Sequence, residues 1–218
     1  MKKILGIFRG FPGLGRVVSG VSILETLRDR YDYDVKIISY LQGNKYLYSR
    51  GYNNLNEVTP MDYCSIGLLP TNKMGTYIHN CIREFTPDLI VVDGEPLMIK
   101  SIKISHPSIK VVALLNPADV VNPNNDKEAM DFFNEFYSLS DLSIVHGLRR
   151  IDKDSRYNKF LSINTIIRPE IIGVKNVPTN NIYCVLGGGT VNVGQQFVDS
   201  TGQKRIRIIK KLEVLESF

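Results

Sequence analysis

Cysteine is scarce in this sequence, and the few cysteines form no recognisable site. The three of them, Cys64, Cys81 and Cys184, lie far apart along the chain. No pair has the short spacing of zinc or redox motifs, so the sequence predicts no metal centre. Cys81 lies in a helix-like stretch and Cys184 in an apolar strand, and both are interpreted as small core residues.

Histidine is equally scarce and has no catalytic partner identifiable from the sequence. The chain contains three histidines, one of them directly before a proline. No serine–histidine–aspartate set can be assembled around any of them. We therefore expect structural roles for His79, His106 and His146.

Long hydrophobic runs are also absent. The N-terminal apolar stretch Ile4–Phe8 is too short for a secretory signal and ends at Arg9. No segment approaches the roughly 20 apolar residues of a membrane span. We therefore expect a cytoplasmic protein.

Acidic residues are slightly outnumbered by basic ones, which gives a formal net charge of +5. The chain has neither an RNP-like motif nor a zinc signature, so nucleic acid is not an expected partner. Two basic stretches, 149–156 and 204–211, are interpreted either as solvated helix faces or as surfaces for phosphate or an anionic membrane. The second interpretation implies peripheral contact with the membrane.

The sequence does contain a regular alternation of apolar strand-like runs and helical patterns. Strands are expected at Lys3–Phe8, Asp34–Tyr40, Tyr63–Leu69, Asp88–Asp93, Lys110–Leu115, Leu142–Val145 and Ile182–Leu186. Helices are expected at Arg16–Arg30, Asn72–Glu84, Pro96–Ile104, Asp126–Leu139 and Gln203–Ser217. This order is typical of an α/β fold, and we predict a Rossmann-like parallel sheet flanked by helices.

The chain is predicted to form one domain over residues 1–174 and a short extension over residues 175–218. By composition, Pro178–Asn181 is a linker, and a strand and a helix follow it. The extension is interpreted either as the start of a truncated second domain or as the completion of the first sheet.

A long loop is predicted at Leu41–Asn56, because no apolar period survives there. Its residues Tyr46 and Tyr48 carry aromatic faces that suit stacking on a sugar ring. The alternative interpretation is that they are ordinary, half-buried loop tyrosines.

Three loops are candidates for a ligand site, because ligands of open α/β sheets bind at the carboxyl ends of the strands. They are Gly10–Gly15, Asp93–Pro96 and Gly187–Thr190. Glycine lets the backbone approach a ligand closely, and a helix that follows offers free amides. The alternatives are that the first glycine turn only lets strand and helix pack, and that Asp93 is a turn or cap residue.

The first loop does not match a nucleotide fingerprint. In the dinucleotide pattern the third glycine would fall at Val18, and the second strand ends in Ser39-Tyr40 without an acidic residue to hold a ribose. No Gly-Lys-Ser/Thr follows, so the loop is not a P-loop either. A nicotinamide-dependent oxidoreductase is therefore the third of our functional hypotheses.

Taken in order, these motifs resemble the N-terminal half of GT-B-fold glycosyltransferases, a group that includes the N-acetylglucosaminyltransferases of cell-wall synthesis. The resemblance rests on Ile4–Phe8, Gly13–Arg16, Ser22–Leu27, Asp34–Tyr40, Pro87–Glu95 and Ile182–Gly189. It implies that the chain supplies the acceptor half of a transferase. The nucleotide-sugar donor is then a substrate rather than a cofactor, and the acceptor is a glycan, a lipid-linked molecule or a small molecule.

One departure from the family concerns the catalytic base. Arg16 stands where the family usually has the histidine of Gly-x-Gly-His, and a guanidinium does not deprotonate. Arg16 can instead hold a phosphate or a carboxylate, and Asp93 or Glu95 becomes the expected base. The acceptor is expected to contact Gly10, Gly13, Gly15, Arg16, Gly94, Tyr46 and Tyr48. The nucleotide is expected to contact Gly187, Gly188, Gly189 and Thr190.

A second departure concerns the length of the chain. In the family the donor binds mainly to the C-terminal domain, and too little chain follows Val174 for an independent Rossmann domain. The donor half is then missing, is supplied by a second subunit, or has no counterpart because the last elements complete a single sheet. The alternative to catalysis is a module that binds a sugar or nucleotide or docks a partner.

Overall fold

The computed structural model describes residues 1–10, 13–52, 72–120, 126–148, 151, 160–175, 182–185 and 206–209. For residues 72–73, 182–185 and 206–209 it describes the backbone alone. The chain divides into two compact units, Met1–Ile172 and Gly173–Phe218.

The first unit is a six-stranded, fully parallel sheet with helices on its faces. Its strands are β1 (Lys3–Phe8), β2 (Asp34–Ile38), β3 (Leu89–Asp93), β4 (Lys110–Leu115), β5 (Leu142–His146) and β6 (Phe160–Ile163). Its helices are α1 (Gly15–Tyr31), α2 (Gln42–Ser49), α3 (Asn72–Phe85), α4 (Pro96–Ser105), α5 (Pro117–Val120), α6 (Lys127–Ser138) and α7 (Pro169–Ile172). The strand order is β2-β1-β3-β4-β5-β6, which confirms the predicted α/β class and Rossmann-like sheet.

The central strands are apolar along their whole length because both faces of the sheet are covered. On one face Leu5 and Val92 join a core cluster that includes Ile78 of α3 and Ile99 of α4. On the other face Phe8 joins a second cluster, whose members come from α1, α2 and the sheet: Ile4, Val17, Val21, Leu24, Ile37, Leu47, Val91 and Leu114. Successive residues of a strand alternate between the two clusters, as the pleat requires.

Helix α1 connects β1 to β2 and begins at the carboxyl end of β1. It ends at Tyr31, where Asp32 adopts a left-handed conformation with φ 52° and donates its N–H to the Arg28 carbonyl oxygen at 3.0 Å. Arg28 and Arg30 in the last turn complement the negative end of the helix dipole. Because α1 carries no acidic residue in its first turn, its N-terminus keeps a positive field beside the edge of the sheet.

The predicted loop at Leu41–Asn56 is wrong over half of its length, since α2 occupies Gln42–Ser49. The helix is held by tertiary packing: Leu47 is fully buried in the cluster beneath α1. Arg50 pairs with Glu25 of α1 at 2.5 Å. Glycine, asparagine and tyrosine obscure this short pattern in the sequence, because their helix propensities are low.

Two further differences lie toward the end of the first unit. Strand β6 was not predicted, and its four residues are too few to stand out as a periodic run. The single-turn helix α7 was not predicted either, because four residues show no helical period. The strand predicted at Tyr63–Leu69 lies outside the described residues.

In the second unit, β7 (Ile182–Val185) and β8 (Ile206–Ile209) form a separate two-stranded parallel sheet. The helix predicted at Gln203–Ser217 is therefore wrong at residues 206–209. Isoleucine occupies three of these four positions, and its β-branched side chain favours strands. The glycine loop that follows β7 lies outside the described residues, and the domain boundary at residue 174 stays a prediction.

Candidate functional site

The candidate site lies at the carboxyl edge of the sheet, where the strand order reverses. β1 pairs with β2 on one side and with β3 on the other, and this is the position at which open α/β sheets form a ligand crevice. The register places Phe8 opposite Asp93, so Arg9 leaves β1 beside the turn after β3. The Arg9 amide donates to the Asp93 carbonyl oxygen at 2.9 Å, which fixes the two strand ends together.

Arg16, in the first turn of α1, bridges two carboxylates at this edge. Its Nη1 lies 2.5 Å from Asp93 Oδ1 and its Nη2 lies 2.8 Å from Asp119 Oδ1 on α5. Asp93 is completely buried, whereas the Arg16 side chain is 19% exposed. Arg16 therefore shields Asp93 from solvent and links α1, β3 and α5.

Arg9 and Tyr40 hold the second acidic residue, Glu95. The Arg9 guanidinium donates to the Gly94 carbonyl oxygen, and its Nε lies 3.7 Å from Glu95 Oε1. The Tyr40 hydroxyl, from the end of β2, donates to the same Glu95 oxygen. Only 1% of Glu95 is exposed, so its charge depends on these partners for stabilisation.

Burial controls the protonation of both acidic residues. It raises the pKa of Asp93 to about 6, against the opposing effect of the Arg16 guanidinium. It raises the pKa of Glu95 to about 7, although Arg9 and Tyr40 favour the ionised form. Burial also opposes the charge on Arg16, but Asp93 and Asp119 outweigh it and raise the Arg16 pKa above its usual value. Two carboxyl groups with pKa values near neutrality are typical of groups that exchange protons during catalysis.

Four buried polar atoms at this edge have no hydrogen-bond partner among the described residues. They are Arg9 Nε, Asp93 Oδ2, Glu95 Oε2 and His146 Nε2. His146 ends β5, two strands beyond β3, and its pKa is lowered first by burial and then by the charge of Arg16, so its imidazole is neutral at pH 7. Buried polar atoms normally find a partner, so these four atoms mark an incomplete site.

The glycines of the site differ in what they do. Gly94 has φ +82°, and a Cβ atom there would lie 2.6 Å from Arg16 Cδ, so only glycine fits this turn. A Cβ atom on Gly10 would lie 1.9 Å from the Tyr40 carbonyl oxygen, so Gly10 permits the close packing of β1 against the start of α2. For Gly13 and Gly15 no described atom lies within 4 Å of that position.

The structure thus brings together four of the predicted site residues: Arg16, Asp93, Gly94 and Glu95. Tyr46 is half-buried and packs on the cluster beneath α1, while Tyr48 is exposed on α2. Their predicted stacking on a sugar stays a prediction. Gly187, Gly188, Gly189 and Thr190 lie outside the described residues.

Sequence reasoning missed four residues of this edge: Arg9, Tyr40, Asp119 and His146. Each follows or ends a parallel strand, or lies in the short helix after it, and all such positions meet at one edge of a sheet. The signal was therefore present in Arg9 and Tyr40 once β1 and β2 were recognised. Asp119 could not be found in this way because α5 is too short to show a period.

The charge balance favours a ligand that donates hydrogen bonds. Arg9 and Arg16 face three carboxyl groups, those of Asp93, Glu95 and Asp119. A bare phosphate would meet guanidinium groups that, apart from Arg9 Nε, already donate to protein oxygens, whereas hydroxyl groups can donate to the two unpartnered carboxylate oxygens. Among the described residues there is no cluster of three or more histidine, cysteine or acidic side chains that could hold a metal ion.

The first unit has the fold of a GT-B N-terminal domain. S. aureus MnaA, solved with UDP, matches all of this chain at TM-score 0.62 and 11% identity. Acinetobacter baumannii MurG matches 96% of it at TM-score 0.51 and 10% identity. The spinosyn rhamnosyltransferase SpnG, solved with thymidine diphosphate, matches 96% at TM-score 0.53 and 8% identity.

These matches cover 64%, 66% and 65% of MnaA, MurG and SpnG, so the chain spans just under two thirds of their length. No protein-family model matches the sequence, and a comparison with curated proteins found no match. In the described part of the chain, no helix is both long enough and apolar enough to cross a bilayer.

Proposed function

We propose that this chain is the acceptor-side half of a nucleotide-sugar glycosyltransferase. The observation that carries the proposal is the pair of buried carboxyl groups at the switch point, each with one oxygen that has no partner in the described structure. The glycosyltransferase-like fold supports it, and so does the excess of carboxylates over guanidinium groups, which suits the hydroxyls of an acceptor.

In the proposed reaction, Glu95 or Asp93 accepts the proton of the acceptor hydroxyl. The hydroxyl oxygen forms a bond to the anomeric carbon of the sugar, and the bond from that carbon to the nucleoside diphosphate breaks. Arg9 and Arg16 position the two carboxylates. The raised pKa values of Asp93 and Glu95 match proton transfer near neutral pH.

The donor is proposed to be a uridine or thymidine diphosphate sugar, because UDP and thymidine diphosphate occupy the solved neighbours MnaA and SpnG. We assign its diphosphate to the predicted loop Gly187–Thr190, completed by a second subunit or a further domain. We place the reaction in the cytoplasm, where the basic stretches can touch an anionic membrane that presents a lipid-linked acceptor.

A non-catalytic binding module is the second candidate, and the burial of the acidic residues favours it. Asp93 is 0% exposed and Glu95 1%, so a substrate reaches either carboxylate only after the side chains that cover it move aside. In a binding module the same ion pairs would simply stiffen the edge of the sheet. The two candidates differ in whether sugar transfer takes place and depends on the Glu95 carboxylate.

The test is release of nucleotide from UDP- and TDP-sugars in the presence of soluble sugar acceptors, with wild type and Glu95→Gln each assayed together with the subunit or domain that completes the donor site. We expect turnover by the wild type and a fall in kcat of about 10²-fold or more in the variant, because the variant cannot accept a proton. Glu170→Gln is the matched control, since Glu170 lies on α7 and forms an exposed ion pair with Arg50. Its kcat should equal that of the wild type.

Calorimetry with the same nucleotides separates the remaining outcomes. Binding of UDP or thymidine diphosphate without any turnover would replace the transferase by the binding module. Tight binding of a nicotinamide cofactor in place of these nucleotides would overturn both candidates and favour the oxidoreductase hypothesis.

A further inference from the structure

A polar seam separates α3 from α4 on the helical layer, away from the switch-point site. His79 Nε2 lies 2.8 Å from Ser101 Oγ, and His79 Nδ1 lies 3.1 Å from His106 Nε2. The two imidazole rings stack with their centroids 5.2 Å apart. Packed helices usually meet through apolar side chains, so a row of hydrogen-bonded polar groups at this position calls for an explanation.

The seam opens into a cavity of about 440 Å³. It is lined by Thr76, His79 and Arg83 of α3 and by Ser105 and His106 at the end of α4. The α3 residues follow helical spacing, so their side chains share one face. The volume is within the range of sites that hold small molecules.

The lining has positive character without a described carboxylate. The charged groups that act on His79 are His106 and Arg83, and burial together with these two groups lowers the His79 pKa. Among the described residues, the partner of the Arg83 guanidinium is a neutral group, the Asn80 side-chain oxygen. An anion is the missing partner for such a set of donors.

We propose that this seam, formed by Thr76, His79, Arg83, Ser105 and His106, is a second binding site for a small anion of the phosphate class, and that it binds its ligand more tightly when the histidine pair is protonated. Hydroxyl groups, imidazolium and guanidinium are all donors suited to phosphate oxygens. Two positively charged imidazole rings this close together would repel each other, and a bound anion would offset that repulsion.

Side-chain NMR of the histidines in the full chain, titrated with sulfate at about pH 6 and about pH 8, tests the proposal. Sulfate is the probe because its charge does not change over this range. We expect saturable shifts of His79 and His106, with affinity at least about fivefold higher at the lower pH. Unchanged His146 resonances would show that the shifts arise at the seam.

Arg83→Gln should weaken sulfate binding at least about fivefold, whereas Arg28→Gln, which removes the same charge from the exposed end of α1, should not. Thermal unfolding of both variants verifies folding. Inorganic phosphate and a sugar phosphate, compared at about pH 6, distinguish a free phosphate ion from a phosphorylated metabolite as the ligand. Equal weakening in both variants, or no saturable shift at His79 and His106, overturns the proposal, as does micromolar binding of zinc in place of sulfate.

Discussion

At the residue scale, Arg16 does not have the role of the histidine that the resembled family usually has at this position. Both of its terminal nitrogens contact carboxylates, at 2.5 and 2.8 Å, so it positions Asp93 rather than accepting a proton. Burial, and not sequence, raises the pKa values of the Asp93 and Glu95 carboxyl groups. The motif Asp-Gly-Glu predicted which residues meet, but the depth at which they are buried followed only from the folded structure.

Glu95 should make stability depend on pH in the direction opposite to an ordinary acidic residue. Its pKa rises from 4.5 unfolded to about 7 folded, so its contribution is fully present below about pH 4.5 and is lost as the pH rises through about 7. The loss is of order 3 kcal/mol. The free energy of unfolding of the wild type should therefore decline between about pH 5 and pH 8.

The measurement is denaturant unfolding of wild type and Glu95→Gln across that range. The variant should show a visibly flatter profile, since glutamine does not titrate, whatever its stability at a single pH. Parallel profiles of the two proteins would mean that Glu95 is ionised throughout and that its buried position has been misjudged.

At the element scale, α2 shows where a sequence pattern of eight residues is insufficient. Its glycine and asparagine suggested a loop, yet Gly43 N–H donates to the Gly10 carbonyl oxygen at 3.2 Å and brings the helix onto the end of β1. Glycine at both positions makes this approach sterically feasible. The long runs of β1 and β4, by contrast, were predicted with the bounds that the structure has, because strands buried on both faces read as continuous apolar segments.

Leu47→Ala distinguishes a packed α2 from the loop that the sequence suggested. Leu47 is fully buried, so its truncation should lower the free energy of unfolding by about 2–4 kcal/mol. Lys45→Ala, on the exposed side of the same helix, should stay within about 0.5 kcal/mol of the wild type. Similar small effects of both substitutions would contradict the packing of α2 described above.

At the scale of the whole molecule, the order of strands does most to define the site. Residues far apart in sequence, from Arg9 to His146, come to the same edge of the sheet because parallel strands share one carboxyl edge. The crevice forms there because the strand order reverses at β1. The alternation of elements predicted this edge. The partners across it, such as Tyr40 for Glu95, could not be predicted, since they depend on side-chain packing that no local pattern encodes.

The most direct test of the proposed acceptor site is carbon NMR of the Asp93 and Glu95 carboxyl groups. The pH is titrated in the absence and in the presence of soluble sugar acceptors. We predict pKa values of about 6 for Asp93 and about 7 for Glu95. We also predict that the carboxyl resonances shift when an acceptor is added to the protein. Ordinary carboxyl pKa values, together with resonances that no sugar perturbs, would contradict the assignment of this edge as an acceptor site.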